Sequence, residues 1–167
     1  MRSILALLLA AGSVFGANDY SNRRAPGFSL TDSHYQQHDP QDYRGKVLLI
    51  DIMSTTCPNC AKLADLLVQV KAKYGDRIGI ITVVTLPDQF NTADKFAAEH
   101  KLSWPVVFDS GQMIASYLKL TPSNPQVHFP HLFVVDPAGM IRNDYEEFEG
   151  PAATVEGLSS VIDKLLK

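Results

Sequence analysis

From Val47 to Met53 the chain runs apolar for seven positions, broken only by Asp51. Gly45 precedes this run and Cys57-Pro58 follows it. The pattern therefore predicts a strand buried on both faces, as in a parallel sheet. The period then changes: Leu63, Leu66, Leu67, Val70 and Tyr74 recur at helical spacing, and Gly75 stops the helix. Residues 77–84 (RIGIITVV) predict a second buried strand, and Asn91 or Thr92 is placed to cap a helix running to about His100. Residues 104–109 (WPVVFD) predict a short third strand, and residues 111–120 (GQMIASYLKL) a short helix. The stretch 121–130 (TPSNPQVHFP) holds three prolines and predicts a loop. Residues 131–148 read as a hairpin turning at Asp136-Pro137-Ala138-Gly139. Val155, Leu158, Ile162, Leu165 and Leu166 then form one face of a closing helix. Strands alternating with helices, then a hairpin and a last helix, predict an α/β sandwich with a mixed sheet.

The first residues have a different pattern. Arg2 is followed by an apolar run from Ile4 to Ala11 and then by small residues, with Val14 and Gly16 suitably placed for cleavage before Ala17. This is the layout of a secretory signal, with an apolar run too short for a comfortable membrane span. The expected organisation is a signal peptide over 1–16, a loose polar segment over 17–24 and one domain over 25–167. An uncleaved membrane anchor is the alternative. Either way the protein is expected to be periplasmic or otherwise exported, where disulfides persist.

Composition adds exclusions. With 46% hydrophobic and 20% charged residues the chain matches an ordinary globular domain, and its formal charge of −3 is mild. There is no basic run or stripe, so nucleic acid is not an expected partner.

The only two cysteines, Cys57 and Cys60, stand three residues apart. As a staple they contribute little, since a loop this short yields about 2 kcal/mol in the chain-entropy model. As a metal site they lack two of the usual four ligands, and His128 and His131 are the only nearby histidine candidates. As a redox pair they are well placed. Pro58 suits the first position of a helix, and Cys57 then lies at the positive end of the helix dipole, which favours its thiolate. Cys60, one turn in, is within reach to resolve a mixed disulfide. The redox reading is preferred, with no cofactor and no metal. Asp51, a carboxyl in an apolar strand, has its pKa raised by burial and is a candidate proton acceptor for Cys60, the alternative being a solvated strand-end aspartate.

Residues 25–32 (APGFSLTD), 42–60 (DYRGKVLLIDIMSTTCPNC), 104–109 (WPVVFD) and 129–141 (FPHLFVVDPAGMI) together resemble the exported TlpA/ResA-like branch of the thioredoxin fold, within the AhpC/TSA-related redoxins. The resemblance covers nearly everything after Ala25. It implies a three-layer thioredoxin-like sandwich with an extra strand and helix before Pro130. It further implies Cys57 as nucleophile, Cys60 as resolving thiol, Asp51 as buried acid and Pro130 as a cis-proline beside the disulfide. Phe129, Pro58, Asn59 and Thr56 are expected to meet substrate.

The implied activity is that of a monomeric thiol–disulfide oxidoreductase. It would reduce disulfides of other exported proteins, for example in cytochrome c maturation or at copper-site cysteines, with a membrane thiol–disulfide protein as electron donor. Some positions depart from the family pattern. Thr56 replaces a usual tryptophan, Met53 fills another aromatic position, and Phe129 is larger than the residue usually found before the proline. His128 and His131 are expected to be solvated loop residues, with tuning of the thiolate or contact with a partner as the alternative. Two further readings are weaker. A peroxiredoxin-like site would need proline and threonine where Ile50 and Ser54 stand. A Sco-type copper carrier would need three residues between the cysteines.

Overall fold

The structure, a computed structural model, describes residues 20–167. The expected signal peptide over 1–16 and the first residues of the 17–24 segment lie outside the described residues. Among the described residues no helix is long and apolar enough to cross a membrane.

Among the described residues twelve strands and α-helices follow one another: β1 (Arg23–Arg24), β2 (Leu30–Asp32), β3 (Gln37–His38), β4 (Val47–Met53), α1 (Pro58–Tyr74), β5 (Ile78–Thr85), α2 (Phe90–Glu99), β6 (Val106–Asp109), α3 (Gln112–Tyr117), β7 (His131–Val135), β8 (Met140–Glu146) and α4 (Val155–Leu165). The strands form one sheet in the order β1-β8-β7-β4-β5-β6-β2-β3. β4, β5 and β6 run parallel, while β7 pairs antiparallel with β4 on the other side. The α/β sandwich with a mixed sheet is therefore the observed architecture.

β4 lies at the centre, and all seven of its residues are buried. Its alternation divides the core between the two faces of the sheet. Val47 and Leu49 join Ile80, Leu132 and Val134 beneath α1 and α4. Leu48, Ile50 and Ile52 join Ile81, Val83 and Phe133 beneath α3. Each such side chain, fully buried, contributes about 1.5–3 kcal/mol. A continuous apolar strand is what this two-sided burial demands. Gly79 has a separate reason: a Cβ there would run into the ring of Tyr43.

The structure departs from the sequence expectations in three places. The described part of the 17–24 segment is not loose: β1 pairs with β8, Asn22 N–H donates to the Ile141 carbonyl at 2.8 Å, and Ser21 Oγ hydrogen-bonds Asp144. This segment is too short and polar to announce itself as a strand, and only its pairing with β8 makes it one. β2 and β3 are missing from the sequence reading for the same reason. The helix α2 starts one residue before Asn91. Gln89 is its N-cap residue, Thr92 Oγ1 reaches back to accept from Gln89 N–H at 2.9 Å, and Asn91 Oδ1 accepts from Thr92 N–H at 2.9 Å.

Candidate active site

β4 ends at Met53, and a short turn brings the chain to Cys57, the N-cap of α1. Cys57 is extended (φ −87°, ψ 118°), and its Sγ accepts from the Cys60 backbone N–H at 3.1 Å. Pro58 occupies the first turn, where a missing N–H costs nothing. The two cysteines form a disulfide with Cα atoms 5.2 Å apart. Cys57 is half-buried and Cys60 fully buried, packed with Met53, Ala64 and Val84. One sulfur therefore faces outward at a helix N-terminus, and the other faces the core.

Asp51 is 1% exposed. In register it stands between Thr82 of β5 and Leu132 of β7. By alternation its side chain shares the sheet face of Leu49 and Met53, which is the face that α1 covers. Thr82 Oγ1 donates to Asp51 Oδ2 at 3.4 Å, and the Trp104 indole N–H donates to Thr82 Oγ1 at 2.9 Å. The indole leaves the threonine hydroxyl only the carboxylate to donate to. Asp51 Oδ1 has no hydrogen-bond partner. Burial pushes the Asp51 carboxyl up to about 7, with the Thr82 hydrogen bond opposing the shift.

The peptide bond between Phe129 and Pro130 is cis, as the sequence reading expects. The Phe129 carbonyl oxygen lies 3.7 Å from Cys57 Sγ, so this turn sits directly against the disulfide. Pro130 is buried and Phe129 half-buried. Thr56 and Pro58 are exposed beside Cys57, and Asn59 accepts from Lys62 Nζ at 3.2 Å. The structure thus brings Cys57, Cys60, Phe129, Pro130, Thr56, Pro58 and Asn59 to one place, with Asp51 under the helix that carries them.

Asp88 was not foreseen. It is 4% exposed and accepts from Thr55 N–H at 2.9 Å, from Thr55 Oγ1 and from Thr92 Oγ1 at 3.1 Å. Burial pushes its carboxyl up, but hydrogen bonds from Thr55, Ser54 and Thr92 outweigh that and hold it below the usual range. It ties the turn before Cys57 to the start of α2. The preceding Leu86–Pro87 bond is also cis. The only sequence signal was a proline and an aspartate directly after a strand, which marks a turn and not its partner.

His131 is a correction. It is no solvated loop residue: it opens β7, is 2% exposed and stacks on Phe133 with centroids 4.5 Å apart. Its Nε2 lies 3.6 Å from Asp144 Oδ2, in a pair wholly shielded from water. The strand starts at His131, so its side chain turns into the core on the sheet face opposite Asp51. His128 stays half-exposed, 3.8 Å from Glu146. Among the described residues no group of three or more His, Cys, Asp or Glu side chains is arranged to hold a metal ion.

Comparison with known proteins places this geometry. The model of the AhpC/TSA family matches residues 22–144. The thiol-disulfide oxidoreductase ResA of Geobacillus thermodenitrificans is 25% identical over 151 residues, covering 85% of this chain and 83% of that protein. The thioredoxin-like protein YneN of Bacillus subtilis is 23% identical over 128 residues, covering 72% of this chain and 68% of that one. Among solved structures, a thiol:disulfide interchange protein of the thioredoxin family from Chlorobium tepidum superimposes with a TM-score of 0.73 at 18% identity, covering 87% of this chain and 97% of that one. The fold is thioredoxin-like.

Asp51 gives stability a pH signature. Its carboxyl titrates at about 7 in the fold against an ordinary 3.8. Between those values the folded chain keeps a proton that the unfolded chain has lost. This contribution is therefore full below the lower value, falls as pH rises and levels off above the higher one. Urea unfolding of the oxidised protein from about pH 4 to 9 should show a decline on the order of a few kcal/mol from this group, absent in Asp51→Asn. Parallel curves for the two proteins would mean that Asp51 is not shielded from water.

Proposed function

Because this chain belongs to the AhpC/TSA family and is a thiol–disulfide oxidoreductase, we propose that it works outside the cytoplasm, reducing disulfides in other exported proteins through Cys57 and Cys60. One observation carries the reading above all. The outward sulfur is the N-cap acceptor of α1, with the Phe129 carbonyl 3.7 Å away and the second sulfur buried behind it. The secretory pattern of residues 1–16 supports export.

The reaction runs in two displacements. The Cys57 thiolate, favoured by the helix N-terminus and the Cys60 N–H, attacks one sulfur of a client disulfide. A mixed disulfide forms and the client's first thiolate leaves. Cys60 then gives its proton to Asp51 and attacks Cys57 Sγ. The Cys57–client bond breaks, the second client thiolate leaves, and the intramolecular disulfide closes. Two electrons have passed to the client. A membrane-bound dithiol donor returns them.

In this reading each residue has a role suited to its place. Asp51, with its carboxyl near 7, can accept a proton at neutral pH and release it again. Phe129 offers its backbone to the client beside the sulfur, and Pro130, lacking an N–H, does not compete for it. Thr56, Pro58 and Asn59 form the rim that the client meets. No side chain of that rim is charged, so nothing there stabilises the thiolate as strongly as an extreme oxidant requires, which favours the reducing direction.

Three outcomes test this. Cys60→Ser should accumulate mixed disulfides with client proteins that the Cys57→Ser/Cys60→Ser double variant does not form, and limiting alkylation of the reduced protein should label Cys57 well ahead of Cys60; preferential labelling of Cys60 would reverse the assignment. Asp51→Asn should slow resolution of the mixed disulfide roughly 10- to 100-fold near neutral pH, the low end of general acid–base contributions. Unchanged resolution across neutral pH would leave Asp51 a structural group only.

A further inference from the structure

The exchange chemistry leaves one buried pair of polar groups unused. His131 and Asp144 are 2% and 1% exposed. In register His131 stands opposite Glu146 and Phe133 opposite Asp144, so the pair shares one sheet face. His131 Nε2 and Asp144 Oδ2 each lack a hydrogen-bond partner, and they lie 3.6 Å apart. Burying two such groups with so little satisfaction costs stability, and the structure around them has to hold them in place. Part of that cover comes from the N-terminal segment. The Tyr20 and His131 rings meet edge to face with centroids 5.8 Å apart, and Ser21 Oγ donates to Asp144 Oδ1. The segment is fastened to β8 through β1, and to the end of α3 through Arg23, which donates to the Tyr117 carbonyl.

This cluster adjoins the active site through a single residue. His131 directly follows Pro130, and the Phe129 carbonyl before it lies 3.7 Å from Cys57 Sγ. Pro130 has no N–H to give to the sheet, and its carbonyl accepts from Glu147 N–H, just past β8, at 2.8 Å. Beyond the turn, His131 is held among Phe133, Tyr20 and Asp144. Both ties of the turn therefore lead to β8. The outer edge of β8 carries the two-residue β1, and further along it Ser21 meets Asp144. A close-packed interior transmits displacement, and between His131 and the Phe129 carbonyl stands only a proline of fixed φ.

We propose that His131 and Asp144 are positioning residues for thiol–disulfide exchange. Clasped by Ser21, they hold the Phe129-Pro130 turn against Cys57, so that seating of the N-terminal segment is a condition of the site's geometry. The inference rests on the oxidoreductase reading, with Phe129 as the client's backbone partner, and adds a control to it. A pull on the chain ahead of Tyr20 would free Ser21, leave Asp144 Oδ1 without its donor and loosen the turn. Exchange with a polypeptide would then suffer more than exchange with a small disulfide, which makes no backbone contact.

The test compares second-order rate constants of the reduced protein with two disulfides. One is a short synthetic peptide whose single cysteine forms a mixed disulfide with 2-mercaptoethanol. The other is the disulfide of 2-mercaptoethanol itself, which offers no backbone to Phe129. The protein should favour the peptide, and Ser21→Ala should cut the peptide-to-small ratio roughly threefold to tenfold, the worth of about one hydrogen bond. Asp144→Ala should cut it by as much, and the double variant no further, because both act through one contact. Ser21→Thr, which keeps the donor, should keep the ratio. Loss of folded protein slows both reactions alike and leaves the ratio intact. An unchanged ratio in Ser21→Ala therefore overturns the proposal, even where Asp144→Ala fails to fold. Losses that multiply in the double variant overturn it too, as does a Ser21→Thr ratio as low as that of Ser21→Ala. No preference for the peptide in the unsubstituted protein also overturns it, while the oxidoreductase reading stands. Reaction with neither disulfide defeats that reading itself.

Discussion

One hydrogen bond organises the site: the Cys60 backbone N–H donated to Cys57 Sγ at 3.1 Å. A helix must satisfy its first N–H groups from outside its own ladder, and here the acceptor is a sulfur. The capping need of α1 thus places Cys57 Sγ where the proposed chemistry would have its thiolate favoured. The same geometry fixes the inequality of the pair. The capping residue is outside the helix and reaches solvent, whereas the residue one turn later must face the sheet. Everything else serves to hold the end of β4 and the start of α1 in that relation.

Three restraints act on this junction from different sides. β4 is paired in the middle of the sheet and buried throughout, so its end is rigidly placed. Asp88 fixes the intervening turn through Thr55, from the side of α2. The Phe129-Pro130 turn closes the third side, delivering the chain into β7 alongside β4. Beneath them lies Asp51, whose only hydrogen bond among the described contacts comes from a hydroxyl already oriented by Trp104. A buried carboxyl so sparsely satisfied costs stability at neutral pH, which makes sense if its proton is needed.

The sequence made much of this legible where chemistry is local. A seven-residue apolar run, a C-x-x-C pair with proline inside it and a hairpin turn each determine their own structure, and the mixed α/β sandwich follows from their order. Asp51 stood out because a charge in an apolar strand has few places to go. What stayed hidden depends on distant partners. Asp88 reads as an ordinary turn residue until Thr55 is seen to donate to it. His131 reads as part of a polar loop because its burial is decided by where β7 starts, by Phe133 beneath it and by Asp144 on β8. Tyr20–Arg24 looks unstructured because two residues of strand have no period to detect, and the edge of β8 supplies the order.

The central claim is that Cys57–Cys60 is a reversible, reducing couple. It is tested most directly by equilibrating the protein with glutathione buffers of graded ratio and counting free thiols after acid quench. The account predicts a single two-electron transition at a potential more negative than the roughly −120 mV of a strong disulfide oxidant, yet above the roughly −300 mV below which structural disulfides resist glutathione. A value near −120 mV would contradict the reducing role, and a disulfide that glutathione does not open would make the pair a staple.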